Sequence, residues 1–340
     1  MRTGLIGLSA LYYPISQGDR LVNKKGVEFV SAATLGDDST RIKSCMGLTP
    51  EEYGKKYSVK IYEDAEVMIE KENLEALVIC SRNSEHAYWT EKAAKLGVKK
   101  IYMPKAFAVS IEDAERMVEI KREYGMQIAC GPSMRYLPHM VALRLAIENE
   151  VAGKPHYIRL CHHHGTIKSF NEADWYRDAR EGGPEMSLGW YGVDLATFLM
   201  GAKVEAVSAN YSNFMSPDSP FMDCGRMEML MEGGKVAQFD MYFCLGYPYP
   251  GWQIEIICEK GVLSLHRVQG DACNTVAAFQ NSDGYRLLPL PENTVDMEAV
   301  WMDDFLCGRE PVVNEEYSKY ITAVCLKARD SANKREHSGV

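Results

Sequence analysis

Over the first 130 residues, short apolar runs of β-type composition alternate with longer stretches of helical period, a grammar that predicts βαβ units feeding a parallel sheet. Strands are expected at Gly4–Gly7, Val27–Ala32, Ala76–Cys80, Lys100–Met103 and Gln127–Cys130. Amphipathic helices are expected over Ala87–Leu96 and Ile111–Tyr124. Ser110 opens the second as N-cap, with Asp113 at its third position, an acidic variant of the capping box.

Beyond Pro138 the pattern changes. A helix over Met140–Asn149 precedes a series of β-type runs from Pro155 onward, with one helical insert between Trp175 and Met200. Glu232-Gly233-Gly234-Lys235 separates Arg226–Met231 from Val236–Met241, and Glu259-Lys260-Gly261 separates Gln253–Cys258 from Val262–Leu265. Both read as hairpins, and sequential hairpins build an antiparallel sheet. Two more helical segments, Glu298–Leu306 and Glu315–Asn333, close the chain. The fold class expected is α/β: a domain over residues 1–130 with a parallel sheet, then an α+β domain over residues 131–340 with a large, mainly antiparallel sheet. The last helix has the option of packing back on the first domain.

Composition bounds the function. With 38 Lys plus Arg against 47 Asp plus Glu the formal charge is −9, and no window joins basic residues to aromatics as a nucleic-acid surface requires. No nucleic-acid partner is expected. Nothing approaches eighteen consecutive apolar residues and the N-terminus lacks a signal-peptide pattern, so no membrane partner is expected either. The ten cysteines form no Cys-x-x-Cys pair and sit mostly in apolar runs, as buried free thiols in a reducing compartment do. The cytoplasm fits these features.

The first strand and turn would carry Gly-x-Gly-x-x-Gly in a dinucleotide-binding fold, letting the backbone approach a pyrophosphate at a helix N-terminus. This chain offers Gly7-Leu8-Ser9-Ala10-Leu11-Tyr12, keeping only the first glycine. The second strand ends at Thr34 where an acid would bond the adenosine ribose, and the nearest acids are Asp37 and Asp38. His162-His163-His164 suggests metal, but alternation along a strand sends His163 to the opposite face and no Cys or acidic cluster accompanies the three. No metal is expected, and His162 and His164 are instead candidates to face a substrate.

Two further motifs carry a resemblance. Val78-Ile79-Cys80-Ser81-Arg82-Asn83-Ser84-Glu85-His86 is followed, one βα unit later, by Lys100-Ile101-Tyr102-Met103-Pro104-Lys105-Ala106. Here the chain resembles the Gfo/Idh/MocA family of NAD(P)-dependent oxidoreductases, whose members carry Thr-Pro-Asn-x-x-His and then Glu-Lys-Pro. Asn83, His86 and Lys105 match, whereas Ser81, Arg82, Pro104 and Ala106 stand at altered positions. Gly131 to Pro138, including Arg135, looks like the family's domain-joining segment. Trp175 through Gly182-Gly183 to Asp194 resembles the family signature, with Gly189 and Asp194 matching. Ser187 stands at the catalytic aspartate position and Tyr191 at the catalytic histidine position. Arg309-Glu310-Pro311-Val312 and the final helix also match, so the resemblance spans nearly the whole chain.

The resemblance implies a Rossmann-type first domain and NAD or NADP as cofactor, contacted by Gly7, Ser9, Ala10, Thr34, Ser81, Arg82, Asn83, His86, Pro104 and Lys105. It implies Lys105 and Tyr191 as catalytic residues, and a sugar-like substrate met by Arg135, His162, His164, Trp175, Ser187 and Tyr191. A free phenol has a pKa near ~10, but an adjacent ammonium favours phenolate, and Lys105 could supply that charge. The expected reaction is hydride transfer from or to a secondary alcohol or ketone of a sugar, glycoside or cyclitol. A non-catalytic binding or complex-forming subunit and a redox-neutral, NAD-dependent glycoside cleavage are the alternatives. His86 has a second role open to it, as a support for the following helix. A homodimer or homotetramer is expected through the second sheet, whose run Arg226–Met231 places Met227, Met229 and Met231 on one face and Leu230 on the other.

Overall fold

A computed structural model describes residues 1–8, 12–36, 48–165, 178, 181–214, 222–245, 251–267 and 275–334. The chain divides into two compact units. Unit 1 comprises Met1–Pro132, Phe170–Gly182 and Glu298–Thr322, and unit 2 comprises Ser133–Ser169, Gly183–Met297 and Ala323–Val340.

Unit 1 holds strands β1 (Arg2–Ile6), β2 (Glu28–Ala33), β3 (Lys60–Tyr62), β4 (Ala76–Ile79), β5 (Lys100–Pro104) and β6 (Gln127–Gly131). They form one sheet in the order β3-β2-β1-β4-β5-β6 with every pairing parallel. Strand order reverses between β1 and β4, so the C-terminal edge there is the switch point at which such sheets bind ligands. Strands β4 and β5 are buried almost throughout, as expected of a parallel sheet covered on both faces. The helices of this unit are α1 (Tyr13–Asn23), α2 (Pro50–Tyr57), α3 (Ala65–Glu72), α4 (His86–Lys95) and α5 (Ile111–Tyr124). Ser110 caps α5 by accepting from the Asp113 N–H at 3.0 Å, as its sequence predicts. The returning segment extends the core: Trp301 stacks on Tyr102 with centroids 4.7 Å apart, and its indole N–H donates to the Glu298 carbonyl at 3.0 Å.

Unit 2 opens with α6 (Pro138–Glu148) and β7 (Pro155–Gly165), followed after a short π-helical turn (Glu185–Gly189) by α7 (Trp190–Met200). Seven more strands follow: β8 (Val204–Ser212), β9 (Cys224–Met231), β10 (Lys235–Leu245), β11 (Gly251–Cys258), β12 (Gly261–Arg267), β13 (Thr275–Asn281) and β14 (Gly284–Leu287). The sheet runs β14-β13-β12-β11-β7-β10-β9-β8, antiparallel except for the central β7–β10 pair. Both expected hairpins form, with Lys235 opposite Met231 and Cys258 opposite Gly261. Helices α8 (Val300–Leu306) and α9 (Glu315–Asn333) complete the chain.

The faces of this second sheet differ chemically. Met227, Met229, Met231, Phe239 and Met241 are buried on the side where α7 packs. The contact is close: a Cβ on Gly192 would meet Phe239 Cδ1 at 2.2 Å, so only glycine admits α7 this near to β10. On the other side, Asp240 is 1% exposed and bonded by Arg226 Nε at 2.6 Å, with Arg159 Nη2 at 3.5 Å. That face is therefore polar at its centre, and the apolar surface expected there shrinks to separate side chains such as Leu230 and Ile257.

Candidate active site

The candidate residues of unit 1 begin at the turn after β1. Gly7 adopts φ +82°, and a Cβ there would lie 2.2 Å from the Cys80 carbonyl oxygen. The one glycine retained from the expected motif is thus the one that lets the turn pass against the end of β4. Ser9 and Ala10 lie outside the described residues. Helix α1 starts at Tyr12–Tyr13 with no side-chain cap among the described residues and no acid in its first turn. The positive dipole end of this helix, with no acid against it in the first turn, fits a pyrophosphate. Thr34 follows β2, its N–H donating to the Tyr62 carbonyl at 3.0 Å.

At the ends of β4 and β5 the motif residues are largely engaged with protein. Ser81 Oγ donates to the Arg82 carbonyl at 3.1 Å. Asn83 Nδ2 donates to the Glu181 carbonyl at 2.8 Å, while the Glu181 carboxylate accepts from Ser84 N at 3.0 Å and Ser84 Oγ at 2.7 Å. Glu181 is 5% exposed. It caps the start of the turn leading into α4, a role the sequence did not signal because its partners lie almost a hundred residues away. His86 is buried, and its Nδ1 donates to the Phe107 carbonyl at 3.1 Å. Burial pushes its pKa down to about 4, so the ring is neutral near pH ~7. Its observed bond braces the turn carrying Lys105, where the sequence motif pointed to a cofactor contact. Pro104 ends β5, and Lys105 follows at 6% exposure, its N–H donating to the Gly131 carbonyl at 2.5 Å. A nearly buried lysine at the C-terminal edge of a parallel strand is uncommon unless paired or functional.

The candidate residues of unit 2 lie on the π-helical turn and α7. Ser187 and Tyr191 are each 5% exposed, and the Ser187 N–H donates to the Gly183 carbonyl at 3.1 Å. Asp194, fully buried three residues after Tyr191, accepts from Ser133 Oγ at 2.5 Å and pairs with the Arg135 guanidinium. Arg135 also lies over the Phe198 ring at 5.2 Å. The residue expected to bind substrate is therefore held against α7 by a buried ion pair and a ring. Glu185, also missed by sequence reading, is 2% exposed and accepts from Arg329 Nε at 2.5 Å. Burial raises its carboxyl pKa while the guanidinium opposes the rise, so the pair pins the π-helical turn to α9.

Alternation along β7 is as expected. His162 and His164 share a face, with centroids 5.8 Å apart, and His162 lies edge-on to Trp252 at 4.4 Å. His163 stacks with Tyr242 at 5.5 Å on the other face. Among the described residues no group of three or more His, Cys, Asp or Glu could hold a metal ion. Trp175 lies outside the described residues. No helix among those described is long and apolar enough to cross a membrane.

A six-stranded parallel sheet with a tight glycine turn at its switch point and a buried lysine on the same edge has the form of a dinucleotide-binding oxidoreductase domain. Comparison with known proteins makes the assignment specific. Residues 2–131 match the oxidoreductase family model with an NAD-binding Rossmann fold, and residues 140–264 match the Gfo/Idh/MocA C-terminal domain. The chain belongs to the Gfo/Idh/MocA family, and its first unit is an NAD-binding domain. It is similar to myo-inositol 2-dehydrogenase of Thermotoga maritima, 25% identical over 98% of this chain and 97% of that protein. It is also similar to D-apiose dehydrogenase of Paraburkholderia graminis, at 27% identity over 90% of this chain and 82% of the relative. A solved Agrobacterium radiobacter oxidoreductase, in complex with NAD+, L-tartaric acid and magnesium, has the same fold, with a TM-score of 0.81 at 18% identity over 98% of this chain and 96% of that one.

Proposed function

We propose that the protein is an NAD(P)-dependent dehydrogenase acting on a secondary alcohol of a sugar or cyclitol. The observation that carries this reading is Lys105, nearly buried at the C-terminal edge of β5 in an NAD-binding unit. The inositol and apiose dehydrogenases among its relatives support the substrate class. When bound, the nicotinamide provides the site that accepts or returns hydride. Tyr191 is assigned to take the hydroxyl proton, and Lys105 to stabilise the phenolate and orient the hydroxyl. Ser187, in place of an aspartate, leaves the proton to the phenol. The α1 N-terminus and the Gly7 turn hold the pyrophosphate, while His86 keeps the Lys105 turn in place.

The test is to incubate the protein with NAD or NADP and a panel of inositols, aldoses and apiose, following reduced nicotinamide and identifying the ketone. Substrate-dependent reduction is expected. Nucleotide binding with glycoside cleavage and no net reduction would replace the reading by redox-neutral chemistry. Absence of both turnover and nucleotide binding would leave a non-catalytic subunit.

A further inference from the structure

Within unit 1, beyond the C-terminal ends of β2 and β3, lies a cleft of about 800 Å³ whose walls include Thr34, Gly36, Glu51, Lys55, Ser58 and Glu63. A dinucleotide with its pyrophosphate at the Gly7 turn extends its adenosine toward β2, and an acid at the end of that strand ordinarily bonds the ribose hydroxyls. Here the position is Thr34. Strands β2 and β3 pair in parallel with Ala33 opposite Tyr62, so the next residue on each, Thr34 and Glu63, stand side by side on the edge.

The acids around the cleft differ in what they already do. Glu51 is paired with Lys55 at 2.7 Å, and Asp64 caps α3 by accepting from the Val67 N–H at 3.1 Å. Glu63 is exposed, and among the described residues no hydrogen bond or ion pair engages its carboxylate. Among the described residues, the cleft therefore contains one self-neutralising pair and one uncommitted negative charge.

We infer that Glu63 is the specificity-determining residue for the dinucleotide, its carboxylate accepting from the adenosine ribose hydroxyls in place of the missing acid on β2 and selecting NAD over NADP. The inference rests on the proposed dehydrogenase reading. A 2′-phosphate carries nearly two negative charges, and at ~6 Å from a carboxylate the repulsion, even in a water-like medium, weakens binding roughly tenfold. It also removes the hydroxyl that would donate to the carboxylate.

Calorimetric titration of the full chain with NAD and NADP separately, without substrate, tests this. Wild type is expected to bind NAD at least about tenfold tighter, with the preference falling as salt rises. Glu63→Gln is expected to bring the two affinities within about threefold, and Glu63→Lys to reverse their order. The exposed position makes both variants compatible with the fold, which a thermal melt checks. Equal wild-type affinities, or a ratio unchanged in Glu63→Gln, would overturn the inference and leave the dehydrogenase reading intact. Failure of both nucleotides to bind wild type would overturn the dehydrogenase reading, and this inference with it.

Discussion

Replacing Gly7 by Ala tests how β1 passes the chain to α1. The added Cβ would lie 2.2 Å from the Cys80 oxygen, 2.6 Å from its carbonyl carbon and 3.0 Å from Ser81 N. All three are backbone atoms, fixed by the Cys80 N–H donating to the Ile6 carbonyl at 2.7 Å and the Gly7 N–H donating to the Ala33 carbonyl at 3.0 Å. No side-chain rotation relieves the overlap, so β1 and β4 must separate at their C-terminal ends. The positive φ costs an alanine about 1–2 kcal/mol, and forced overpacking adds about 1–3 kcal/mol. A total of roughly 2–5 kcal/mol follows. At about 2–4 °C per kcal/mol for a domain of this size, the unit 1 transition should fall by roughly 4–20 °C in scanning calorimetry. NAD affinity, titrated well below that transition, should fall too, because the displaced turn is the one that approaches the pyrophosphate. A variant melting within about 1 °C of wild type would refute the steric argument.

Other perturbations reach different parts of the molecule. Asp194→Ala strips the largely buried Arg135 guanidinium of its fully buried carboxylate partner and should cost about 3–5 kcal/mol in urea unfolding; a loss below about 1 kcal/mol would show the pair to be dispensable. His86, held neutral by burial with a pKa of about 4, makes stability depend on pH. The unfolded chain takes up a proton near pH ~6.5 and the folded one only near ~4, so stability is complete above ~6.5 and is lost as pH falls between them, by at most about 3 kcal/mol. Urea midpoints at about pH 7.5 and 5 should differ less in His86→Gln than in wild type, and parallel losses would assign the effect elsewhere.

Periodicity made most of the fold legible. The run Ile111–Tyr124 is α5 to the residue, since both its cap and its αL terminator Gly125 are local signals. Strand β3 was missed because Lys60-Ile61-Tyr62 is too short to show alternation, and its place is set by pairing with β2 alone. The alternation of β9 was readable, but the polarity of its outer face was not. That face is set by Asp240, opposite Arg226 on the hairpin partner β10, and by Arg159, brought in on β7 from far away in sequence.

The candidate site was legible as motif positions and much less so as roles. Lys105 and Tyr191 were candidates through the family resemblance, and the shared face of His162 and His164 follows from strand alternation. The commitments of Asn83, His86 and Arg135 depend on Glu181, Phe107 and Asp194, whose proximity is a tertiary fact. The buried carboxylates Glu181 and Glu185 left no sequence signal, because an isolated glutamate reads as a surface residue until its distant partner is known.

The proposed Tyr191–Lys105 chemistry is tested by steady-state kinetics of Tyr191→Phe, Lys105→Met and the double variant, on whichever polyol wild type oxidises. Tyr191→Phe is expected to keep nucleotide affinity while kcat falls by about 100-fold or more, the scale of a positioned acid/base. Lys105→Met should cost at least as much, and the double variant should lose far less than the product of the two, because the groups act as a unit. Undiminished turnover in Tyr191→Phe would rule out the phenol as the base and move the proton to His162 or His164.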